Sequence, residues 1–331
     1  MITKTRFIES QQVVPYANLA LENHLLETVA KETCILYLWQ NQRTVVIGRN
    51  QNAWRECRTT ELAADGGYLA RRLSGGGAVF HDLGNLNFTF LLPTQDYLVK
   101  RQLEVILQAV RKLGLKAEIS GRNDVTVEGR KFSGNAFYDS HGRSYHHGTL
   151  LVDVNMADLS RYLQVDEQKL ASKGVASVRS RVVNLKSLLP DLTLEQLKSA
   201  LVEAFGEVYG TEPQPLEEAM LNPTRLAELE TQYASWEWNF GAKIPFTHQL
   251  QKRFAWGGVE MQLQVNKGHI VQAVVYSDAL EAELFAALGP ALKGSRYEAQ
   301  AISQILLKLA ADGSGQAEHL AELAAYVQEN I

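Results

Sequence analysis

Between residues 71 and 82 the chain carries a run of residue types suited to holding an anion. Three consecutive glycines, Gly75, Gly76 and Gly77, allow backbone N–H groups to approach a ligand without obstruction by Cβ atoms. Two arginines, Arg71 and Arg72, stand directly upstream and provide donors for phosphate or carboxylate oxygens. The spacing fits neither a P-loop nor the dinucleotide fingerprint of Rossmann folds. The run therefore predicts a ligand loop of another kind, although a glycine-rich turn with solvated arginines has the same composition.

An acidic and a basic residue flank a second turn-rich segment. Asp124 begins a short predicted strand, and a turn at Gly129 returns the chain so that Lys131 lies close to it across a hairpin. In a functional site, Asp124 would hold Mg²⁺ on a nucleotide phosphate and Lys131 would neutralise developing negative charge. A surface hairpin with one acid–base pair explains the same spacing. On spacing alone, the surface hairpin is the better interpretation.

Residues 168–189 contain five basic residues and no acidic one. Gly174 and several serines indicate a flexible segment. Such a segment is either a solvated basic loop or a mobile flap that closes over phosphates and excludes water.

The histidines and cysteines do not indicate metal binding or nucleophilic catalysis. His146 and His147 are adjacent on a predicted strand, so their side chains point to opposite faces and cannot share a metal ion. Cys34 lies in an apolar strand, which indicates a packed core thiol. Cys57 has no obvious base beside it, so neither cysteine has the surroundings of an activated nucleophile.

The elements that position these residues predict an α+β fold. Over the first 155 residues short strands outnumber helices and occur in runs, which favours a mainly antiparallel sheet with flanking helices. The predicted strands are Cys34–Trp39, Thr44–Ile47, Tyr68–Ala70, Leu86–Leu92, Ala117–Ser120, Asp124–Val127 and His147–Val152. The predicted helices of this part are Asn18–Ala30, Tyr97–Leu113 and, further on, Leu194–Tyr209.

A break at Gly241–Phe246 separates a second, smaller α+β unit. It begins with a hairpin, Val259–Val265 and His269–Tyr276, joined by a turn at residues 266–268. Three helical patterns follow at Leu280–Leu288, Glu298–Ala311 and Ala317–Val327. The predicted organisation is a catalytic domain over residues 1–241, a linker over 242–247 and an accessory domain over 248–331.

Composition narrows the class of protein. The 331 residues carry a net charge of −4, which argues against a dedicated nucleic-acid binder. The N-terminal segment lacks the apolar core of a signal peptide, and no stretch approaches the length of a membrane helix. Two cysteines cannot form a disulfide framework, which suggests a reducing compartment. We therefore expect a cytoplasmic protein that does not associate with membranes.

At these clusters the sequence closely resembles the lipoate–protein ligase A family, in its long bacterial form with a C-terminal accessory domain. The resemblance runs nearly end to end, and it is carried by several segments together. The run from Arg71 to Gly77 alone would identify only the wider superfamily of biotin ligases, lipoate ligases and octanoyltransferases. The matching segments are Thr44–Arg49, Arg71–Asn85, Gly121–Asp124, Arg130–Lys131, His146–Leu151, Ser177–Arg181 and Ser235–Gly241.

The resemblance implies a catalytic domain similar to those of biotin ligases and class II aminoacyl-tRNA synthetases. It implies that lipoate, or octanoate, reacts with ATP in the presence of Mg²⁺ to give an acyl-adenylate and pyrophosphate. The acyl group then passes to a lysine of an apo lipoyl domain, in the E2 subunits of 2-oxoacid dehydrogenases or in the glycine-cleavage H protein. The expected oligomeric state is a monomer.

The resemblance assigns roles residue by residue. Lys131 corresponds to the catalytic lysine that contacts both lipoate and ATP, and Asp124 stands where a magnesium ligand is expected. The other implied ATP-binding residues are Arg72, Gly77, Ala78, Val79 and Phe80. The other implied lipoate-binding residues are Arg72, Ser74, Gly75, Gly76 and His81. The loop that orders over the adenylate corresponds to Ser177, Val178, Arg179 and Arg181. Leu73, Phe132 and Asn135 depart from the usual smaller or more polar residues, which leaves the width of the acyl tunnel open.

Two other functions remain as alternatives. An octanoyltransferase on the same scaffold would transfer an acyl group without ATP, but those enzymes use a reactive cysteine and none follows residue 57. A non-catalytic protein that binds an adenylate or an acceptor would keep the site for recognition alone. The presence of Arg72, Gly75–Gly77, Asp124 and Lys131 together disfavours that function.

Overall fold

The computed structural model describes residues 1–120, 124–164, 182–217, 220–241, 247–311 and 317–331. Within these ranges the chain forms two compact units. The first comprises Met1–Val46, Trp54–Arg71 and Ala78–Asn239. The second comprises Phe240–Ile331 together with two short segments from the first part of the chain, Ile47–Ala53 and Arg72–Gly77. The predicted boundaries at residues 241 and 248 remain a prediction.

Fifteen strands and eleven α-helices are present in the described ranges. The strands are β1 Lys4–Glu9, β2 Thr33–Trp39, β3 Thr44–Ile47, β4 Tyr68–Arg71, β5 Val79–His81, β6 Asn85–Pro93, β7 Ala117–Ser120, β8 Asp124–Val127, β9 Arg130–Ser133, β10 Asn135–Ser140, β11 Arg143–Leu151, β12 Gln214–Pro215, β13 His248–Arg253, β14 Gly258–Asn266 and β15 His269–Ser277. The helices are α1 Pro15–Thr28, α2 Ala53–Glu56, α3 Thr59–Ala64, α4 Val99–Lys112, α5 Met156–Tyr162, α6 Leu194–Tyr209, α7 Pro223–Ala234, α8 Trp236–Phe240, α9 Ala282–Leu292, α10 Ala299–Ala311 and α11 Ala317–Asn330.

A six-stranded sheet in the order β10-β11-β6-β2-β1-β12 forms the centre of the first unit. The pairs from β10 to β2 are antiparallel, whereas β1 runs parallel to both β2 and β12. Two three-stranded sheets, β4-β3-β5 and β7-β8-β9, complete this unit. All nine residues of β6 are buried, including the polar side chains of Asn85, Asn87 and Thr89 that alternate with Leu86, Phe88 and Phe90.

Helices α4 and α6 cover one face of the six-stranded sheet. Leu103, Ile106, Leu107 and Val110 recur at helical spacing on α4 and join the apolar core with Phe88 and Phe90 of β6. Helix α6 begins with a capping box between Thr193 and Gln196 and ends at Gly210, which has a φ of 68°.

The second unit contains an antiparallel sheet, β13-β14-β15, and helices α9, α10 and α11. One core of apolar side chains joins them, including Met261 and Leu263 of β14, Phe285 of α9, Leu306 of α10 and Leu323 of α11. The hairpin turns at Lys267 and Gly268, both with positive φ.

The α+β fold class with a separate smaller C-terminal unit is confirmed. All seven strands predicted for the first part of the chain are present, with ends shifted by up to four residues. Strands β1, β5, β9, β10 and β13 and helices α2, α3, α7 and α8 were not predicted. Three prolines between residues 212 and 223 predict a surface loop, and within it Gln214 and Pro215 pair with β1. No helix within the described ranges is both long enough and apolar enough to cross a membrane.

Candidate functional site

The two adjacent arginines have different surroundings. Arg71, at the end of β4, directs its guanidinium to the C-terminal carbonyls of α8. Its Nε donates to the Trp238 oxygen at 2.8 Å and its Nη2 to the Asn239 oxygen at 2.6 Å. In return, the Trp238 indole donates to the Arg71 carbonyl at 2.8 Å. Because helix-end carbonyls lack partners within their own helix, this buried arginine acts as a helix cap.

The glycine loop surrounds the guanidinium of Arg72. Its Nε donates to the Ser74 hydroxyl at 2.9 Å, and its Nη2 donates to the carbonyls of Gly75 at 2.7 Å and Gly77 at 2.8 Å. The side chain is only 5% exposed. The guanidinium therefore fixes the shape of the loop and keeps a positive charge at its centre.

Two glycines of this loop, Gly75 and Gly76, lie close to the backbone of residues 279 and 280, which leaves no room for a side chain at Gly75. The Gly76 N–H donates to the Ala279 carbonyl at 3.0 Å, and Gly76 itself has a φ of 88°. A Cβ on Gly75 would overlap the Ala279 carbonyl oxygen and lie 2.6 Å from that of Leu280. All of these residues belong to the second unit. The close backbone approach expected of Gly75–Gly77 is present, but here the backbone approached is the chain's own.

Asn50 joins the same part of the second unit. Its carbonyl accepts from the Ser277 N–H at 2.8 Å, and its side-chain amide donates to the Ala282 carbonyl at 2.6 Å. The Arg49 N–H donates to the Ser74 carbonyl at 2.9 Å. Two loops distant in sequence are thereby held on the segment that links β15 to α9.

The apolar residues after the loop form strand β5 in the first unit. Val79 pairs with Val46 and Phe80 with Val45. Phe80 is 2% exposed and packs on Tyr162 with ring centroids 5.6 Å apart. Its side chain belongs to the interior, so only its backbone is positioned to contact a ligand, whereas Ala78 and Val79 are half-buried.

His81 ends β5 as a buried histidine beside an aromatic side chain. Its Nδ1 lies 3.2 Å from the side-chain amide nitrogen of Asn41. The Asn41 Oδ1 accepts a hydrogen bond from the Asn18 side-chain amide at 2.9 Å. Its ring lies 6.2 Å from that of Trp39. Donation by Asn41 makes Nδ1 an acceptor and assigns the imidazole proton to Nε2.

Lys131 lies on β9 opposite Thr126, at an irregularity where the β8–β9 register shifts between Val125 and Thr126. Such bulges redirect side chains and are frequent beside active sites. The side chain is half-buried, and a Cβ added to Gly134 would be 3.4 Å from its Nζ. Thr149 bonds to both polar backbone groups of Gly134, at 3.0 and 3.3 Å. The ammonium therefore rests against a backbone segment fixed on β11.

Two groups of expected site residues lie wholly or partly outside the part of the chain that the structure describes. The side chain of Asp124 and residues 177–181 lie outside the described residues. The backbone of Asp124 pairs with Ser120 on β7, and the register sets Thr126 rather than Asp124 opposite Lys131.

The histidine pair points to opposite faces of the sheet, as the strand alternation predicts. His146 Nδ1 lies 3.1 Å from the Gln102 side-chain oxygen on α4. His147 Nδ1 lies 2.9 Å from the Glu22 carboxylate on α1, which also accepts from the Thr89 hydroxyl at 2.7 Å. Helices α1 and α4 therefore cover opposite faces.

Both cysteines are buried free thiols. Burial raises the pKa of Cys34 to about 12. Burial, with a smaller contribution from Glu61, raises the pKa of Cys57 to about 12. Both remain protonated near neutral pH and are poor nucleophiles, as the sequence predicts.

No role was predicted for Gly134 or Thr149, which lie beside Lys131, and Asn135 was named only for the width of the acyl tunnel. Asn135 and the segment His146–Leu151 were both named, but only the pairing of β10 with β11 shows that they are neighbours. An arrangement of strands is a tertiary property that local periodicity does not report.

Both parts of the chain match known protein families. Residues 14–206 match the model of the lipoyl protein ligase A/B catalytic domain, and residues 243–325 match that of the bacterial lipoate protein ligase C-terminus. LipL1 of P. falciparum, solved in complex with lipoate, is 28% identical with a TM-score of 0.85, and the match covers 99% of each chain.

Two further structures match the larger part of the chain. The bipartite lipoate protein ligase of Thermoplasma acidophilum, described with its E2 lipoyl domain, is 27% identical with a TM-score of 0.64, covering 75% of this chain and 100% of that one. A lipoate-protein ligase A bound with ATP is 25% identical with a TM-score of 0.62, covering 73% and 99%.

Proposed function

The chain belongs to the lipoyl protein ligase A/B family and carries the C-terminal domain of the bacterial lipoate protein ligases, and from this premise we propose that it joins lipoate to protein at the expense of ATP. In the first half-reaction lipoate and ATP give lipoyl-AMP and pyrophosphate. In the second, a lysine of an apo lipoyl domain displaces AMP and becomes lipoylated.

The observation that carries the proposal is the placement of Lys131. A half-buried ammonium rests against the Gly134 backbone, at a strand irregularity inside the segment that matches the catalytic-domain model. Attack of a carboxylate on an α-phosphate brings two anions together, so a cation held at that point lowers the barrier. We propose that Lys131 donates to the lipoate carboxylate and to the α-phosphate.

In the proposed mechanism, an oxygen of the lipoate carboxylate attacks the α-phosphorus and the bond to pyrophosphate breaks. The amine of the acceptor lysine then attacks the acyl carbon, and AMP departs with the bonding electrons. No side-chain nucleophile is required, which agrees with the raised pKa of both thiols. The mixed anhydride hydrolyses readily, so we assign Ser177, Val178, Arg179 and Arg181 to a segment that excludes water.

The remaining assignments follow the family resemblance. We propose that ATP is bound by Arg72, Gly77, Ala78, Val79, Phe80 and Lys131, with Phe80 acting through its backbone. We propose that lipoate is bound by Arg72, Ser74, Gly75, Gly76, His81 and Lys131. Asp124 supplies a single carboxylate, which suits Mg²⁺ because that ion is commonly held by one or two carboxylates and substrate phosphates. Mg²⁺ bound there with ATP would supply further neutralisation of phosphate charge.

The proposed acceptors are apo lipoyl domains, of E2 subunits or of the glycine-cleavage H protein. The similarity to a Thermoplasma acidophilum ligase described with its E2 lipoyl domain supports this class of partner. We further propose that the protein acts as a cytoplasmic monomer, with residues 1–241 as its catalytic domain and 248–331 as its accessory domain. Octanoate is proposed as a second acyl substrate.

Lipoate-dependent exchange of labelled pyrophosphate into ATP tests the first half-reaction without any acceptor. The purified chain should catalyse exchange when lipoate and Mg²⁺ are present and not when lipoate is omitted. Octanoate in place of lipoate measures acyl preference in the same assay. Exchange that is absent with both acids would contradict the proposed adenylation.

A further inference from the structure

His146 is a fully buried histidine between two side-chain amides. Its Nδ1 lies 3.1 Å from the Gln102 side-chain oxygen, and its Nε2 lies 2.9 Å from that of Asn135. The Phe137 and Phe88 rings lie with centroids 4.9 and 5.4 Å from the imidazole. Burial, together with the neighbouring His147, lowers the pKa of His146 to about 3. The imidazole is therefore neutral at physiological pH.

A neutral imidazole has one N–H and one acceptor nitrogen, so it cannot donate to both amide oxygens. The buried Gln102 amide nitrogen makes no well-formed hydrogen bond to the described residues, and the Tyr209 hydroxyl is the other polar group beside this amide. We assign the amide the orientation in which its nitrogen donates to His146 Nδ1 and its oxygen faces the Tyr209 hydroxyl. His146 Nε2–H then donates to Asn135. The result is a directed chain of hydrogen bonds from Gln102 through His146 to Asn135.

Asn135 joins this chain to the surroundings of Lys131. It begins β10 directly after Gly134, whose backbone lies against the lysine side chain. A Cβ on Gly134 would stand 3.3 Å from Lys131 Cε and 3.4 Å from Nζ. The opposite side of Asn135 is equally confined, since a Cβ on Gly148 would be 2.7 Å from its amide oxygen. The position of this amide therefore constrains the backbone that supports the ammonium.

We propose that His146 is a positioning residue for the acyl-activation step. Its neutral imidazole fixes the Asn135 amide, and that amide fixes the Gly134 backbone on which Lys131 rests. His146 is 0% exposed and touches no substrate, so it acts through Asn135. The inference rests on the proposed function, since it requires Lys131 to act in adenylation.

The test uses the full-length protein and measures kcat and KM for lipoate-dependent pyrophosphate release. His146→Phe keeps a ring in the aromatic cluster but removes both hydrogen bonds, and it should lower kcat about tenfold. The KM for ATP should stay at the parental value. His146→Gln, whose amide N–H can replace Nε2–H, should recover most of the lost rate. Asn135→Ala, at a half-buried position, should lower kcat as much as His146→Phe does. If His146→Phe fails to fold, Asn135→Ala still tests whether the Asn135 amide supports catalysis.

The double variant separates positioning from packing. If His146 acts through Asn135, adding His146→Phe to Asn135→Ala should lower kcat no further. Phe90→Leu is the matched control, because it shrinks the core beside His146 but leaves its hydrogen bonds in place. This control should lower the melting temperature and leave kcat unchanged.

Parental kcat in folded His146→Phe, or losses that add in the double variant, would overturn the inference while the parent remains active. A parent without lipoate-dependent pyrophosphate release would overturn the proposed function, and the inference with it.

Discussion

At the scale of single residues, Lys131 has the largest predicted effect on catalysis. Its contact should be strongest in the transition state, where charge builds between the carboxylate and the α-phosphate, so kcat should change more than KM. Lys131→Ala should lower the rate of lipoate-dependent pyrophosphate release by about 10²–10³. Lys131→Arg should recover little, because a planar guanidinium cannot replace a compact ammonium between two closely spaced oxygens. Circular dichroism checks the fold, and a folded Lys131→Ala variant within about threefold of the parental rate, far inside that loss, would remove this lysine from the mechanism.

The cysteines separate a ligase from an acyltransferase. With the pKa of both thiols raised to about 12, neither is expected to carry an acyl group. The double variant Cys34→Ala, Cys57→Ala should therefore retain the parental rate of acceptor lipoylation, measured at a temperature where both proteins are folded. A thioester trapped on the parent, with no turnover by the folded double variant, would identify a transferase instead.

His146 should contribute to the pH dependence of stability. Its pKa is lowered from 6.5 to about 3 by burial, so the unfolded chain binds this proton more readily than the folded one. The stabilisation is fully present above pH 6.5 and is lost as the pH falls towards 3. Between pH 7 and pH 5 it should decrease by about 2 kcal/mol. Urea unfolding of the parent and of His146→Gln at both pH values measures the difference. Equal losses of stability in the two proteins would show that His146 is not the group responsible.

The sequence shows which residues have suitable chemistry, but it does not show the role that the fold gives to each of them. Arg71 and Arg72 are identical neighbours, yet one caps helix α8 and the other organises the glycine loop. The difference arises because adjacent residues at a strand end face different surroundings, and Asn239 is distant in sequence. The burial of Cys34, by contrast, follows from the apolar strand in which the sequence places it. Long-range partners, and not residue chemistry, are what the sequence analysis lacked.

At the scale of structural elements, the glycine loop gives a prediction on steric grounds. A methyl group at Gly75 would overlap the Ala279 carbonyl, and that backbone cannot move away as a flexible side chain does. Gly75→Ala should lower the stability by about 1–3 kcal/mol and raise the KM values for lipoate and ATP. Gly258→Ala is the matched control, because its Cβ would meet only side-chain ends, Arg253 Nη1 at 3.0 Å and Asp278 Oδ1 at 3.7 Å.

Urea unfolding and substrate titration of the two glycine variants distinguish these effects. The control should stay close to the parent in both measurements. Gly75→Ala behaving like the control would mean that the loop does not need a glycine there.

Strands with a regular alternation or an apolar run were predictable, and a strand with neither was not. β6 was predicted within one residue of its ends, because Leu86, Phe88 and Phe90 alternate with polar residues and an apolar end follows. β1, with the sequence KTRFIE, has mostly half-buried positions and gives no comparable signal. Its place in the sheet depends on parallel pairing with β2 and β12, the latter more than 200 residues away. The same limit applies to β9 and β10, whose pairing and irregularity define the surroundings of Lys131.

At the scale of the whole molecule, the two family matches lie in the order expected of a long bacterial ligase. The compact units do not follow that order strictly, since residues 47–53 and 72–77 group with the C-terminal part of the chain. Two units were predictable from the sequence, but the grouping of these two loops with the C-terminal part was not, because tertiary packing decides which residues a loop contacts. The glycine loop is thus held by residues of the second unit, and substitutions at Ala279 are expected to affect it.

The most direct test of the account is intact-mass spectrometry of an apo lipoyl domain incubated with the full-length chain, lipoate and ATP. The account predicts the addition of one lipoyl group to one lysine of the acceptor, dependent on both lipoate and ATP. The Lys131→Ala variant should leave the acceptor almost unmodified over the same time. An acceptor that stays unmodified with the parental chain and both substrates, or one that is modified without ATP, would contradict the central claim.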